Sequence, residues 1–318
     1  MMMALLVFKT KCKDFFDKHY TVVRGILKII VSAIVFAVML SDFPFHPILQ
    51  QYKLPLVMIV APICGFIPDL AVMCLVALMM TIDISAVSIV VAFGFFAVLA
   101  IYFLLFGRYT KSQSYLVLLI PLLGAFEISY SVPIIAALFL TPAMIPACVV
   151  GVFVQYLLVA IREYYIVSQT AVDTGNTMEG LQYIFSYVMT NKEMLIYMVT
   201  YALAFSLVYI IRKRKFNYAS HIAILVGVLT CMAGVILGDS IWSVQADVAR
   251  LFWGLAISAV IAYVVQFFRM SLDYMGVRNL QFEDDEYFYY VKAVPKMKVT
   301  VSEKTVTKIE EDINSDID

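Results

Sequence analysis

Charge is scarce in this 318-residue chain: Lys, Arg, Asp and Glu make up 14% of it, against 63% hydrophobic residues, with a mean hydropathy of +0.91. Soluble domains carry about 25% charged residues, so this composition excludes an ordinary soluble domain and points to an integral membrane protein. Histidine is scarcer still. His19, His46 and His221 stand far apart, and the five cysteines (Cys12, Cys64, Cys74, Cys148, Cys231) are scattered through mostly apolar runs. No CxxC pair or Cys/His cluster is present, which argues against a structural zinc site or a disulfide framework. There is no HExxH, no phosphate-binding glycine loop and no GxSxG elbow, so neither an enzyme nor a bound cofactor is expected. A basic patch of the kind that engages nucleic acid is missing as well. The first eight residues, MMMALLVF, lack the basic region and small-residue site of a cleavable signal peptide.

Long hydrophobic runs are what the chain has instead. Six read as full spans: 21–40, 83–106, 143–161, 194–211, 219–237 and 251–268. Two further runs are as apolar but interrupted in the middle. In 54–80 the interruption holds Pro62, Gly65, Pro68 and Asp69; in 115–140 it holds Pro121, Gly124, Glu127 and Pro133. Each half has about 12 residues, roughly 18 Å of helix, against a hydrocarbon core of roughly 30 Å. Both runs are therefore read as re-entrant helical hairpins, with single kinked helices as the alternative. The expected fold is an all-α membrane protein of six transmembrane helices and two interrupted hairpins, spanning 21–269. A basic surface-lying segment (1–20) precedes it, and a small cytosolic tail with short β segments (270–301) and an acidic, disordered end (302–318) follow.

Placement of basic residues supports the hairpins. The clusters are the N-terminal lysines, Arg108/Lys111, Arg212–Lys215, and Arg269 with Arg278. Re-entrant hairpins put all of them on the cytoplasmic side, where short loops are enriched in Lys and Arg. Both termini are then cytoplasmic and the membrane is the cell membrane. The same topology makes 54–106 and 115–165 inverted repeats. At an offset of 59 residues, Pro62 and Gly65 fall on Pro121 and Gly124.

Inverted pairs of interrupted helices place transporter sites near the midplane. Asp69 and Glu127 are the candidate binding residues, because a carboxylate at that depth costs something like 2.5–3.5 kcal/mol and its presence suggests a role. The alternative is that each only caps a half-helix. Gln155 is added as a side chain able to reach the second break, with Gly65 and Gly124 as the flanking close-approach positions. Asp83 and Glu163 are expected to be solvated at span ends. Arg24 and Lys28 are expected to snorkel to the headgroups. His221 is expected at the interface, Gly227 and Gly234 at a close helix contact, and Arg212–Lys215 as a topology anchor. Residues 181–189 carry apolar positions at helical spacing and suit a surface-lying amphipathic helix.

The most distinctive text is the tail, Phe282-Glu-Asp-Asp-Glu-Tyr-Phe-Tyr-Tyr-Val-Lys-Ala-Val-Pro-Lys296. With Asn191-Lys-Glu-Met194 and Thr141-Pro-Ala-Met-Ile-Pro-Ala-Cys148, it resembles an uncharacterised family of multi-pass membrane proteins from anaerobic Gram-positive bacteria. The resemblance implies a bacterial cell membrane and a cytosolic tail, and carries no site residues over. The leading functional expectation is a secondary transporter or lipid-linked flippase acting on a small or lipid-linked substrate. The other is a scaffold or assembly factor that recruits a cytosolic protein through the tail.

Overall fold

The computed structural model describes residues 15, 18–106, 115–170, 177–214, 218–244, 247–269, 278–283 and 288–293. In chain order the helices are α1 (Tyr20–Asp42), α2 (Pro47–Gln51), α3 (Lys53–Phe66), α4 (Asp69–Ser85), α5 (Ile89–Phe106), α6 (Leu116–Gly124) and α7 (Ser131–Phe139). A 3-10 turn, Pro142–Met144, leads into α8 (Ile145–Thr170), followed by α9 (Thr177–Thr190), α10 (Lys192–Arg212), α11 (Ala219–Trp242) and α12 (Val248–Arg269). Among the described residues, six helices are long and apolar enough to cross a membrane: α1, α5, α8 with its leading turn, α10, α11 and α12. They make the chain a multi-pass membrane protein. The stretch over α8 is the central one, with 56% of its most apolar window buried against 17% for α1.

The tightest helix pair owes its closeness to glycine. A Cβ on Gly227 would stand 2.6 Å from Val208, and one on Gly234 only 2.5 Å from Thr200 Oγ1. Gly238 meets Ile196 in the same way, so α11 lies backbone-close along α10. Asn191 starts α10 by accepting the Met194 N–H at 3.1 Å, while Glu193 sits in its first turn. On α9, Ile184 and Val188 turn into the bundle, whereas Phe185 and Met189 are exposed.

The first interrupted run breaks at one place. Pro68 drives Ile67 into extended backbone (φ −87°, ψ 149°), as a residue before proline prefers. Pro62 lies within α3 and does not end it. The Ile67 carbonyl accepts from Lys28 Nζ of α1, so Lys28 reaches inward to the break, not outward to headgroups. Ser32 of α1 donates to the Ala61 carbonyl at 3.3 Å, and α3 therefore runs antiparallel to α1.

The second half of this run is longer than the spacing predicts. Helix α4 has 17 residues and ends at Ser85, and the following span starts at Ile89 instead of at residue 83. Asp83 is the reason. Far from being solvated, it is fully buried and accepts the His46 N–H at 2.8 Å and the Phe45 N–H at 3.4 Å. Those donors belong to the turn just after α1. Gln50 also donates to the Leu40 carbonyl, and Lys53 contacts Ser41. Both ends of 53–85 consequently lie at the C-terminal end of α1.

The second run, α6 and α7, is also folded back. Gly151 of α8 meets Val117 and Ile120, and Gly124 meets Gln155, so α6 runs alongside α8 in the same direction. Helix α7 instead follows α10: Ser129, just ahead of it, bonds Tyr201 at 2.6 Å, and Arg212 Nη1 donates to Ala137 at 2.9 Å and Leu140 at 3.4 Å. Arg212 thus caps the C-terminal carbonyls of α7. The 9-residue helices α6 and α7 are each about 14 Å long.

The chain divides into two compact units, 21–270 and a smaller one made of 1–20 with 271–318. In the smaller unit, strands β1 (Arg278–Glu283) and β2 (Phe288–Ala293) pair antiparallel, with Arg278 opposite Ala293 and Glu283 opposite Phe288. The acidic end 302–318 and the lysines at 9, 11 and 13 lie outside the described residues.

Two stability outcomes follow from these contacts. Asp83→Ala leaves a buried and a part-buried N–H group without an acceptor and lowers unfolding stability in detergent by about 2 kcal/mol, with Asp83→Asn losing less because one oxygen remains. Gly234→Val places a side chain where Thr200 already sits, and lowers stability by about 1–3 kcal/mol. A thermal unfolding series of the purified protein measures both.

Candidate functional site

The chain turns from α6 to α7 through residues 125–130, and the turn is built like a helix C-terminus. The Ile128 N–H reaches back to the Leu123 carbonyl at 3.0 Å, and the Glu127 N–H to the Gly124 carbonyl at 3.0 Å. This pair of bonds is the Schellman arrangement, whose αL position favours glycine. Here Glu127 occupies it, at φ +62°. A Cβ in that region is strained by about 1 kcal/mol relative to glycine. The turn tolerates the strain because neighbours brace it. Gly254 of α12 brings its backbone against the Glu127 carbonyl, where any Cβ would collide, and Ser258 donates to the Ile128 carbonyl at 3.3 Å.

Next to this turn lies a cavity of about 230 Å³, closed by α8, α10, α11 and α12. At its mouth, Arg250 pairs with Glu127 at 3.5 Å and with Asp247 at 3.2 Å, all three side chains being more than half exposed. Pairs so exposed contribute little stability, so their arrangement matters more for what the mouth presents than for holding the fold. Deeper in, the lining is tyrosine. Tyr201 is 1% exposed, Tyr130 6% and Tyr156 8%. The Tyr130 and Tyr197 hydroxyls share a hydrogen bond of 3.0 Å, as do Ser129 and Tyr201 at 2.6 Å. The rings of Tyr130, Tyr197 and Tyr201 meet pairwise at 5.9–6.0 Å, two of the three pairs edge-on, and Tyr156 stands 6.1 Å from Tyr197. Such offset and edge contacts are the favoured aromatic geometries. Glu193 completes the lining, with the Tyr156 hydroxyl as its hydrogen-bonding neighbour.

Three of the residues expected from the sequence meet here. Glu127, Gly124 and Gln155 all line the cavity, and Gly124 is tight against Gln155: a Cβ would come 2.5 Å from its Nε2. Gly65 is elsewhere, packed on Ile29 of α1 in the first interrupted run. The Asp69 side chain lies outside the described residues, although its backbone opens α4. Sequence reasoning passed over Glu193, Tyr130, Tyr156, Tyr197, Tyr201 and Arg250. A signal was available for part of this set. Glu193, Tyr197 and Tyr201 recur every four residues, which puts three polar groups on one face of an otherwise apolar span. Among the described residues, no group of three or more His, Cys, Asp or Glu side chains gathers closely enough to hold a metal ion.

No family model, no curated protein and no solved structure matches this chain.

Strain and side chain separate cleanly at Glu127. Glu127→Gly relieves the αL strain and unfolds at the same or a higher temperature than the parent, whereas Glu127→Val, β-branched at positive φ, costs about 1–2 kcal/mol. Thermal unfolding of the two variants side by side measures the difference.

Proposed function

We propose that this protein is a secondary transporter whose substrate site is the cavity beside the 125–130 turn. The observation that carries the reading is convergence: the polar side chains of several otherwise apolar helices point to one space of about 230 Å³. Polar groups in spans are costly and cluster where substrates or ions pass. A carboxylate kept at a position that glycine would fill without strain agrees with this, since strain of that kind collects at functional sites. The volume is below the roughly 300–1,000 Å³ of pockets for drug-sized ligands, which suits a small solute or a headgroup more than a whole lipid-linked sugar.

Architecture lends further support. Both interrupted runs return to the end from which they start, as re-entrant hairpins do, and they do so from opposite ends of the bundle. Shifted by 59 residues, the break at 67–68 falls on 126–127 within the second turn, and α5 falls within α8. This pattern fits inverted repeats, the arrangement that lets one half rock against the other around a fixed site. With the basic clusters on the cytoplasmic side, the cavity mouth faces outward and both termini face the cytosol of a bacterial cell membrane.

The scaffold reading rests on a different feature, the β1–β2 hairpin in the tail, which offers a folded element to a partner. Complementation of a deletion strain separates the two. Under the transporter reading, Glu127→Gln with Glu193→Gln loses function while truncation after Arg278 keeps it; the reverse outcome establishes the scaffold. Single-cysteine labelling tests the hairpins. Impermeant reagents should reach both ends of 53–85 from one side only and both ends of 116–139 from the other. Opposite-side labelling of the two ends of either run rules out that hairpin.

A further inference from the structure

We infer that the cavity takes a small organic cation, an alkylammonium or quaternary ammonium group, held between the tyrosine rings and the Glu193 carboxylate. This rests on the reading of the cavity as a solute site and names the chemistry of its occupant.

Charge points first to a cation. The lining carries three carboxylates, Glu127, Glu193 and Asp247, and one guanidinium, Arg250. Arg250 is placed at the mouth and shared between two of those carboxylates, at 3.5 Å and 3.2 Å. An anion entering the cavity would meet a cation already satisfied and a surplus of negative charge. Glu193 stands apart from that cluster, at the first turn of α10, with Tyr156 beside it.

Aromatic content selects an organic cation over a bare one. Aromatic faces carry the negative end of the ring quadrupole and attract ammonium groups within about 6 Å of the ring centre, most strongly where water is excluded. Four tyrosines line this cavity, and three of them are more than nine-tenths buried. Each paired hydroxyl couple, Tyr130 with Tyr197 and Ser129 with Tyr201, spends one of its two O–H donors internally. With three carboxylates also in the lining, acceptor oxygens prevail, which disfavours anions. An inorganic divalent ion would need a cluster of hard ligands, and among the described residues none is formed. The space of about 230 Å³ holds an ammonium group with a few carbons attached.

The ammonium group can belong to a free solute or to a lipid headgroup, and the probes distinguish these. Full-length protein in maltoside detergent is titrated with tetramethylammonium chloride, sodium chloride, sodium phosphate or glucose, and separately with lysophosphatidylcholine or lysophosphatidylglycerol. The readouts are unfolding temperature and maleimide protection of a Ser129→Cys variant. The expected result is a saturable rise in unfolding temperature and protection of the cysteine by tetramethylammonium, with no matching effect of sodium chloride at equal ionic strength. Protection by lysophosphatidylcholine but not lysophosphatidylglycerol extends the site to headgroups; protection by tetramethylammonium alone restricts it to free solutes. Glu193→Gln and Tyr197→Leu should each weaken binding about tenfold, and Tyr197→Phe, which keeps the ring, much less. Protection by phosphate or glucose in place of tetramethylammonium overturns the cation and leaves the solute site standing. Protection by none of the probes overturns the cation too, and the fate of the solute site then rests on the complementation result for Glu127→Gln with Glu193→Gln. Equal weakening by Tyr197→Phe and Tyr197→Leu assigns the contact to the hydroxyl and refutes the ring.

Discussion

Inside a bilayer no water is at hand to satisfy a backbone N–H or C=O, so a helix can stop at membrane depth only where the protein itself supplies partners. In the two interrupted runs, three helix ends are met by side chains reaching in from other helices. Lys28 from α1 takes the carbonyl at Ile67, Ser258 from α12 takes Ile128, and Arg212 from α10 takes Ala137 and Leu140. Between them, the bonds from Ile128 and Glu127 back to Leu123 and Gly124 close the end of α6. Much of the helix packing follows from delivering these donors, including the close approach of Gly254 to the 125–130 turn.

The two interruptions differ both in how they are made, by Pro68 in the first and by the left-handed Glu127 in the second, and in what surrounds them. Around the first, Gly65 is sealed by Ile29, and the nearby groove of about 270 Å³ between α1, α4 and α6 is lined almost wholly by aliphatic side chains. Around the second, four tyrosines, two glutamates and a glutamine surround the turn.

Much of this was readable from residue order, and the failures have physical causes. The spans were legible because lipid selects long apolar runs whatever their neighbours; the first break was legible because Pro68 acts on the residue before it, whereas the second turn, 125–130, holds neither proline nor glycine. Asp83 was misread as a solvated boundary since a carboxylate beside an apolar run looks the same whether water or the Phe45 and His46 N–H groups receive it. Arg212 looked like one more basic residue in an anchoring cluster, because nothing in its own segment shows that α7 ends beside it. The tyrosines drew no notice. They count among the hydrophobic residues by composition, and their hydroxyls acquire meaning only when α8, α10 and the 125–130 turn bring them together.

Local composition was therefore sufficient for class, span number, the first break and the carboxylate at the second turn, since each depends on the chain's exchange with lipid or on the conformational limits of single residues. Packing alone decided that Glu127 would face Arg250 across 123 positions of sequence, that Glu193, Tyr197 and Tyr201 would close one wall of a cavity, and that Gly65 would be sealed by a neighbouring helix. Those outcomes belong to contacts between distant segments: the four-residue spacing of Glu193, Tyr197 and Tyr201 marks a face of α10 but not the partners it meets. An apolar helix can present any of its faces to a neighbour at nearly equal cost, and only the assembled bundle selects one.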